Sequence, residues 1–337
     1  MLNLEAMKSQ TIDSSDWKKS LAQYQKPSLY RSLWQIGHTV IPYILIWVYL
    51  ATNLSQPLWQ LIPLIIIAAG LLVRTFIIFH DCTHMSFFKS RQANQWVGVV
   101  TGLFAFACYH HWRWEHSGHH STVGDLDNRG TGDLWTLTKK EYNESTWIVR
   151  FGYRIVRSPY FLFGLVPLFL FLVKERIPAP KARRPEHLAV HLTSIAVLII
   201  SVLLSFVFGW KEYLIVQGSI LTIAATAGSW LFYVQHQYED TYWERDQNWD
   251  YFTASLKGSS YYRLPKVLQF FSGNIGFHHI HHLNSKIPNY NLQACQENLT
   301  FLQAARTIGL REGFKTAHLA LWDEDQKKMI PFKNLEA

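Results

Sequence analysis

Cysteine is scarce: Cys82, Cys108 and Cys295 are the only three in 337 residues. They are too few and too scattered for a disulfide framework or a thiolate metal site. The HExxH pattern of helical zinc proteases does not occur, which removes that class together with its general-base glutamate. Residues 1 to 20 hold no apolar core followed by a small-residue cleavage site, so they do not read as a secretory signal, and membrane insertion is expected to start at the first long apolar run. Internal repeats and low-complexity tracts are absent as well. Charged residues make up only 17% of the chain, and they are gathered between long stretches that carry almost none.

Those stretches set the fold class. Residues 35–53, 58–79, 188–209 and 213–234 each approach the ~20 residues that a helix needs to cross ~30 Å of hydrocarbon. Two shorter runs, 96–108 and 159–173, are nearer the length of a re-entrant or interfacial segment. The stretch IPAPKARRP at 177–185 reads as a linker before the third crossing. The expectation is an all-α polytopic membrane protein with four transmembrane helices, interfacial segments and a cytoplasmic helical cap. Residues 1–33 would form an N-terminal cytoplasmic segment and 34–337 a single domain.

What is abundant between the apolar runs is histidine. HDCTH at 80–84, HSGHH at 116–120 and HHIHH at 278–282 place imidazoles at i, i+3 and i+4, the spacings that share one face of a helix. The candidate ligands are His80, His84, His116, His119, His120, His278, His281 and His282. A catalytic zinc typically takes three protein ligands plus water and a structural one four. Eight nitrogens therefore suggest two metal ions, although imidazole suits iron, copper, nickel and zinc alike. His236, at the end of the fourth run, is a ninth candidate, since ionisable groups at that depth tend to be functional. His38, His110, His111, His187, His191, His279 and His318 lie outside the pattern and read as packing, interfacial or surface residues.

If the clusters build one site they must share one side of the membrane, which an extra crossing at either short run would prevent. Four crossings keep them together. Lys18, Lys19, Lys26, Arg31, Lys89, Arg91 and the KARR run at 181–184 fall on that side, and excess Lys and Arg mark the cytoplasmic face. The net charge of +8 follows from the same bias and from attraction to anionic lipid; it does not call for nucleic acid. A basic face would also suit an acidic redox partner. Carboxylates beside the clusters could hold the second ring nitrogen of a ligand: Asp81, Glu115, Glu239 and Asp240, with Asp125 and Asp127 open to a solvated role. Asn274, between Gly273 and Gly276, could hold a metal-bound water or a turn.

HDCTHMSFF, HHWRWEHSGHHSTVGDLDNRGTGDLW and NIGFHHIHHLNSKIPNY resemble the three histidine boxes of the membrane fatty-acid desaturases, over roughly residues 30–325. Within that family FIIFHDCTH, NRGTGDLW, WLFYVQHQYED, GNIGFHHIHHL and LWDED at 321–325 most resemble the bacterial acyl-lipid Δ5 desaturases. The resemblance implies a non-haem di-iron centre, two Fe held by the eight box histidines and His236, that uses O2 and two electrons to remove two hydrogens from adjacent methylenes of a phospholipid acyl chain. Such methylenes offer acid–base and nucleophilic catalysis nothing to act on, so the protein's part is to tune the metal and position the chain. An apolar tunnel lined by the first two and last two helices is expected.

The sequence departs from the acyl-CoA members at Phe232, where they carry an asparagine that holds a metal through water. No haem-binding HPGG segment occurs, so the electrons are expected from a separate ferredoxin or flavodoxin. The expected location is a bacterial cell membrane with both termini cytoplasmic. The alternatives are a hydroxylase or other oxygenase with the same boxes and, from another class, a membrane metal transporter.

Overall fold

A computed structural model describes residues 16–335. A short helix, α1 (Asp16–Ala22), is followed by α2 (Leu29–Thr52) and α3 (Leu58–Thr83). Ser28 caps α2 by accepting the Arg31 amide, and Pro57 precedes α3. Pro42 and Pro63 sit inside these helices, which transmembrane helices tolerate because neighbours satisfy the freed backbone groups. Helix α3 continues four residues past the apolar run and so carries His80 on its last turn.

The shorter runs are built differently from the four long ones. Helix α4 (Arg91–Phe104) spans about 21 Å at 1.5 Å per residue, and the chain returns through a turn at Phe106 into α5 (Tyr109–Thr122). The return lies against the last turn of α3: the Tyr109 hydroxyl donates to the Cys82 carbonyl at 3.0 Å. After α6 (Lys139–Glu144) come α7 (Trp147–Val156), a π-helical turn at Phe161–Leu165 and α8 (Val166–Leu172), bent by 61° at the break. This bent unit matches a re-entrant segment or a broken span.

The last two long helices are α9 (Arg184–Phe208) and α10 (Trp210–His236). With α2 and α3 they make four helices long and apolar enough to cross a membrane, which together describe an all-α, multi-pass membrane protein. Only 6% of the most apolar window of α9 is buried, and Leu198, Phe206 and Val207 are among its exposed side chains; that surface needs lipid. Lipid removes the hydrophobic drive between helices, leaving close packing and polar pairs. Tyr43, Leu72 and Ile220 pack together in the membrane core, and Trp47 Nε1 donates to Gln217 Oε1 at 3.0 Å, a bond type worth about 0.6 kcal/mol on average in bilayers.

Everything after α10 folds over the end where α3 and α10 finish. Helices α11 (Tyr251–Lys257), α12 (Lys266–Phe271), α13 (His278–Leu283), α14 (Asn289–Asn298) and α15 (Leu310–Thr316) form the cap. Five short strands in two small sheets tie it down, one running Leu137–Thr138, Leu319–Asp323, Lys328–Pro331 and the other pairing Tyr261–Arg263 with Thr307–Gly309. Trp17 and Leu21 of α1 pack against Phe277, Ile280 and Leu292 in the cap. The division expected at residues 33 and 34 thus falls inside α2, and residues 1–15 of that segment lie outside the described ones.

Candidate metal centre

Four elements deliver nine buried imidazoles to one place: the end of α3, the second half of α5, the last residue of α10 and the whole of α13. They gather in two groups. His80, His84, His116, His120 and His281 form one, and His119, His236, His278 and His282 the other, with the nitrogens of each group within 4.8 Å of one another. Helix geometry explains the sorting. Residues i and i+4 lie about 40° apart around a helix and i+3 falls on the other side of i. His80 with His84 and His116 with His120 therefore serve the first group, and His278 with His282 the second. His119 and His281, at i+3, reach across to the opposite group, so both α5 and α13 span the pair.

The donor set fits metal ions. In the first group Nε2 of His116 lies 3.0 Å from that of His80 and of His120, and His120 lies 3.0 Å from His281. In the second, His236 lies 3.3 Å from His119 and 2.9 Å from His278, which is 3.1 Å from His282. A ring nitrogen holds either one proton or one in-plane lone pair, so such strings cannot all be hydrogen bonds. A central cation with metal–nitrogen bonds of about 2.1 Å would set ligands at right angles ~3.0 Å apart. Burial, with the neighbouring imidazoles, pushes His84, His116, His120, His278, His281 and His282 well below the ordinary histidine range. They stay neutral with lone pairs free, the state that metals bind.

The opposite ring nitrogens are held selectively. Nδ1 of His119 is 2.5 Å from Oδ1 of Asp133, whose other oxygen accepts the Gly130 amide at 3.1 Å. The intervening Gly132 has φ +73°, and a side chain there would press on His119 and the Glu115 carbonyl. Nδ1 of His236 faces the Gly258 carbonyl at 3.0 Å. Asp81 lies 3.5 Å from Nδ1 of His80 and is anchored by the Asn289 amide and side chain at 2.7 and 2.8 Å.

A cavity of about 480 Å³ runs from this cluster into the membrane core, inside the ~300–1,000 Å³ range of small-molecule sites. His80, His116 and His278 stand at one end, so it touches both groups; Leu72, Val73, Leu221, Ala224 and Ala225 line the other. Further wall comes from Phe76, Trp112, Phe171 and the bent segment at Leu162 to Leu170, and Glu115, Asp133, Lys174 and Glu175 add charged groups to it. The first and third long helices contribute no lining residue, against the expectation of all four. They pack outside α3 and α10, whose terminal turns alone reach the histidines.

The family model described as fatty acid desaturase matches residues 57–307. A fatty acid desaturase of Bacillus subtilis is 41% identical over 94% of this chain and 90% of its own length. The chain belongs to the fatty acid desaturase family. Two Synechocystis proteins, an sn-1 acyl-lipid omega-3 desaturase (ferredoxin) and an sn-1 oleoyl-lipid 12-desaturase, are each 27% identical to this desaturase. They cover 81% and 72% of it, over 76% and 69% of their own lengths.

Other candidate residues of the desaturase fall in varied places. Glu115 bonds Lys174 through both carboxylate oxygens and lies 3.8 Å from His111, not against a box histidine. Glu239 is exposed, and Asp240 lies 3.3 Å from Arg306. Asn274 sits at φ +61° and donates to the Asn289 carbonyl at 3.3 Å, one step behind Asp81. Asp125 closes a turn on the Asp127 and Asn128 amides. His279 turns away from the cluster to Gln296 at 2.8 Å, and the buried His111 accepts the Ala179 amide. Phe232 stands with its ring 5.2 Å from His119 and 5.1 Å from His236, an apolar wall beside the four-imidazole group. Asp133 and Asn289 were not singled out in the sequence; the only signal was their place in RGTGD and KIPNY beside boxes two and three.

Proposed function

We propose that this chain is an acyl-lipid desaturase that introduces a cis double bond, at the Δ5 position, into phospholipid acyl chains. His80, His84, His116, His120 and His281 would hold one iron, and His119, His236, His278 and His282 a second. When bound, the irons supply the O2-dependent oxidation of an unactivated C–H bond that side chains alone do not offer. The chain's own residues do the rest. Asp133 and Gly258 fix ring orientation, the aromatic wall of Phe76, Trp112, Phe171 and Phe232 keeps water from the reacting methylenes, and the cavity sets which carbon lies under the metals.

The observation that carries this reading is the mainly apolar cavity touching both imidazole groups. Its far end at Leu72 and Ala225 would stop the methyl terminus, while the lipid head group stays at the interface. The named lipid substrates of the Synechocystis relatives support the same substrate class, and the ferredoxin in one of those names supports ferredoxin or flavodoxin as electron donor. The Δ5 position rests on the motif resemblance. Basic residues on the capped side support a cytoplasmic centre and cytoplasmic termini in a bacterial cell membrane, with 34–337 as one catalytic unit. Fatty-acid methyl-ester analysis after expression in a host lacking unsaturated membrane lipids tests it. A Δ5 alkene is expected; a Δ9 or Δ12 product removes the position alone, and a hydroxylated product without alkene removes the desaturase reading.

A further inference from the structure

Three carboxylates line the cavity: Glu115, Asp133 and Glu175. Two of them are taken up through both oxygens, Glu115 by Lys174 and Asp133 by His119 and the Gly130 amide. Glu175 is not. It sits on the short 3-10 turn Lys174–Arg176 after α8 and is 6% exposed, with Oε2 accepting the Cys108 amide, at the start of α5, at 3.3 Å. Among the described residues Oε1 accepts no hydrogen bond and no cation pairs with the group: Lys174 turns to Glu115, Arg176 gives Nη2 to the Phe106 carbonyl, and Glu186 at the start of α9 is paired with Arg183. The charged and titratable groups facing Glu175 are Lys174 and Arg176 on its own turn and Cys108 and Glu115 on α5. Desolvation of a lone carboxylate is costly, and a proton relieves it. The Lys174 side chain is 37% exposed, so solvent reaches the residue next to Glu175.

We propose that Glu175 relays solvent protons into the cavity, taking them up on the Lys174 side and releasing them from Oε1 toward the oxygen being reduced beside the histidines. This rests on the desaturase reading above. Per double bond formed, two C–H bonds and the O–O bond break. Two hydrogens from the acyl chain, two electrons from an external one-electron donor and two protons through Glu175 turn O2 into two water molecules. The apolar wall that keeps water from the methylenes also keeps solvent protons out, so their delivery needs a titratable group in that wall. Glu175 is the cavity carboxylate with an oxygen left free for it.

The test compares wild type, Glu175→Gln and Glu175→Asp as iron-loaded enzymes in nanodiscs of palmitoyl phosphatidylglycerol, reduced with dithionite and mixed with O2 for one turnover in H2O and in D2O. Glutamine keeps an acceptor for the Cys108 amide but carries no acidic proton. Its iron content should therefore match wild type, while alkene formation slows by roughly tenfold or more and the solvent isotope effect rises. Aspartate should recover most of the rate. The wild-type rate should fall as rising pH deprotonates Glu175, and the glutamine variant should not share that fall. Apart from turnover, infrared spectra of the wild-type enzyme at neutral pH should show a protonated-carboxyl band that the glutamine variant lacks. Wild-type rate and isotope effect in Glu175→Gln, or no such band in the wild type, would overturn the relay. Loss of iron in Glu175→Gln, or a rate that aspartate does not restore, would overturn it too, by assigning Glu175 to holding the start of α5. A hydroxylated product without alkene would remove the desaturase reading and not the relay, which the same rate loss and band would still support, since that reaction also takes up two protons.

Discussion

Replacing Asp133 by alanine removes the carboxylate that faces Nδ1 of His119 at 2.5 Å. His119 is the only α5 residue of the four-imidazole group, and the Asp133 side chain is 7% exposed, so bulk water does not simply replace it. Loss of such a partner typically costs 10–100-fold in metal affinity or activity, or about 1.4–2.7 kcal/mol. Asp133→Ala should therefore lower iron affinity and desaturation by that factor. Asp133→Asn, which keeps an acceptor for the ring N–H, should lose less. Iron per chain across a chelator titration reads affinity, and product by gas chromatography reads activity. Glu115→Gln is the control, since Glu115 neighbours His116 in sequence but bonds Lys174, and its iron affinity should match wild type. Wild-type iron affinity and activity in Asp133→Ala would refute the reasoning.

His120→Ala should abolish desaturation with membrane insertion intact. His279→Ala should keep the chemistry but lose about 0.5–3 kcal/mol of stability, because a fully buried ring and its bond to Gln296 are removed; equal loss of activity in both variants would count against the sorting of ligands. A reporter fused after residue 130 or 185 should read cytoplasmic, and a signal from the opposite side at either point overturns the four-crossing topology. Ala225→Phe should fill the far end of the cavity and shift products toward shorter acyl chains, whereas an unchanged chain-length profile by mass spectrometry would place the acyl chain elsewhere.

The crossings were legible because lipid demands one long apolar run per helix, and those runs have no other use. The histidine spacing was legible for the same kind of reason: i, i+3 and i+4 say that imidazoles share a face before anything is known of the fold. Which imidazole joins which group was not, because the spacing sorts rings within one helix but does not say which helices meet at each group. Adjacency in sequence misled at Glu115: one residue before His116, it is turned about 100° around the helix and meets Lys174. The same rule hid Asp133, which reaches His119 from 14 residues away through a loop whose shape depends on Gly132, and Asn289, which meets Asp81 across 208 residues. The tunnel expectation erred because equal apolarity does not distinguish helices that line a cavity from those that only brace it.

The central claim is that nine imidazoles hold two irons at the head of an acyl cavity. Metal analysis and Mössbauer spectroscopy of the purified, fully active enzyme address it directly. The account predicts two irons per chain in a coupled pair, lost in step with desaturation on chelation or on His120→Ala. Fully active protein that contains zinc without iron, or a single iron per chain, would contradict it.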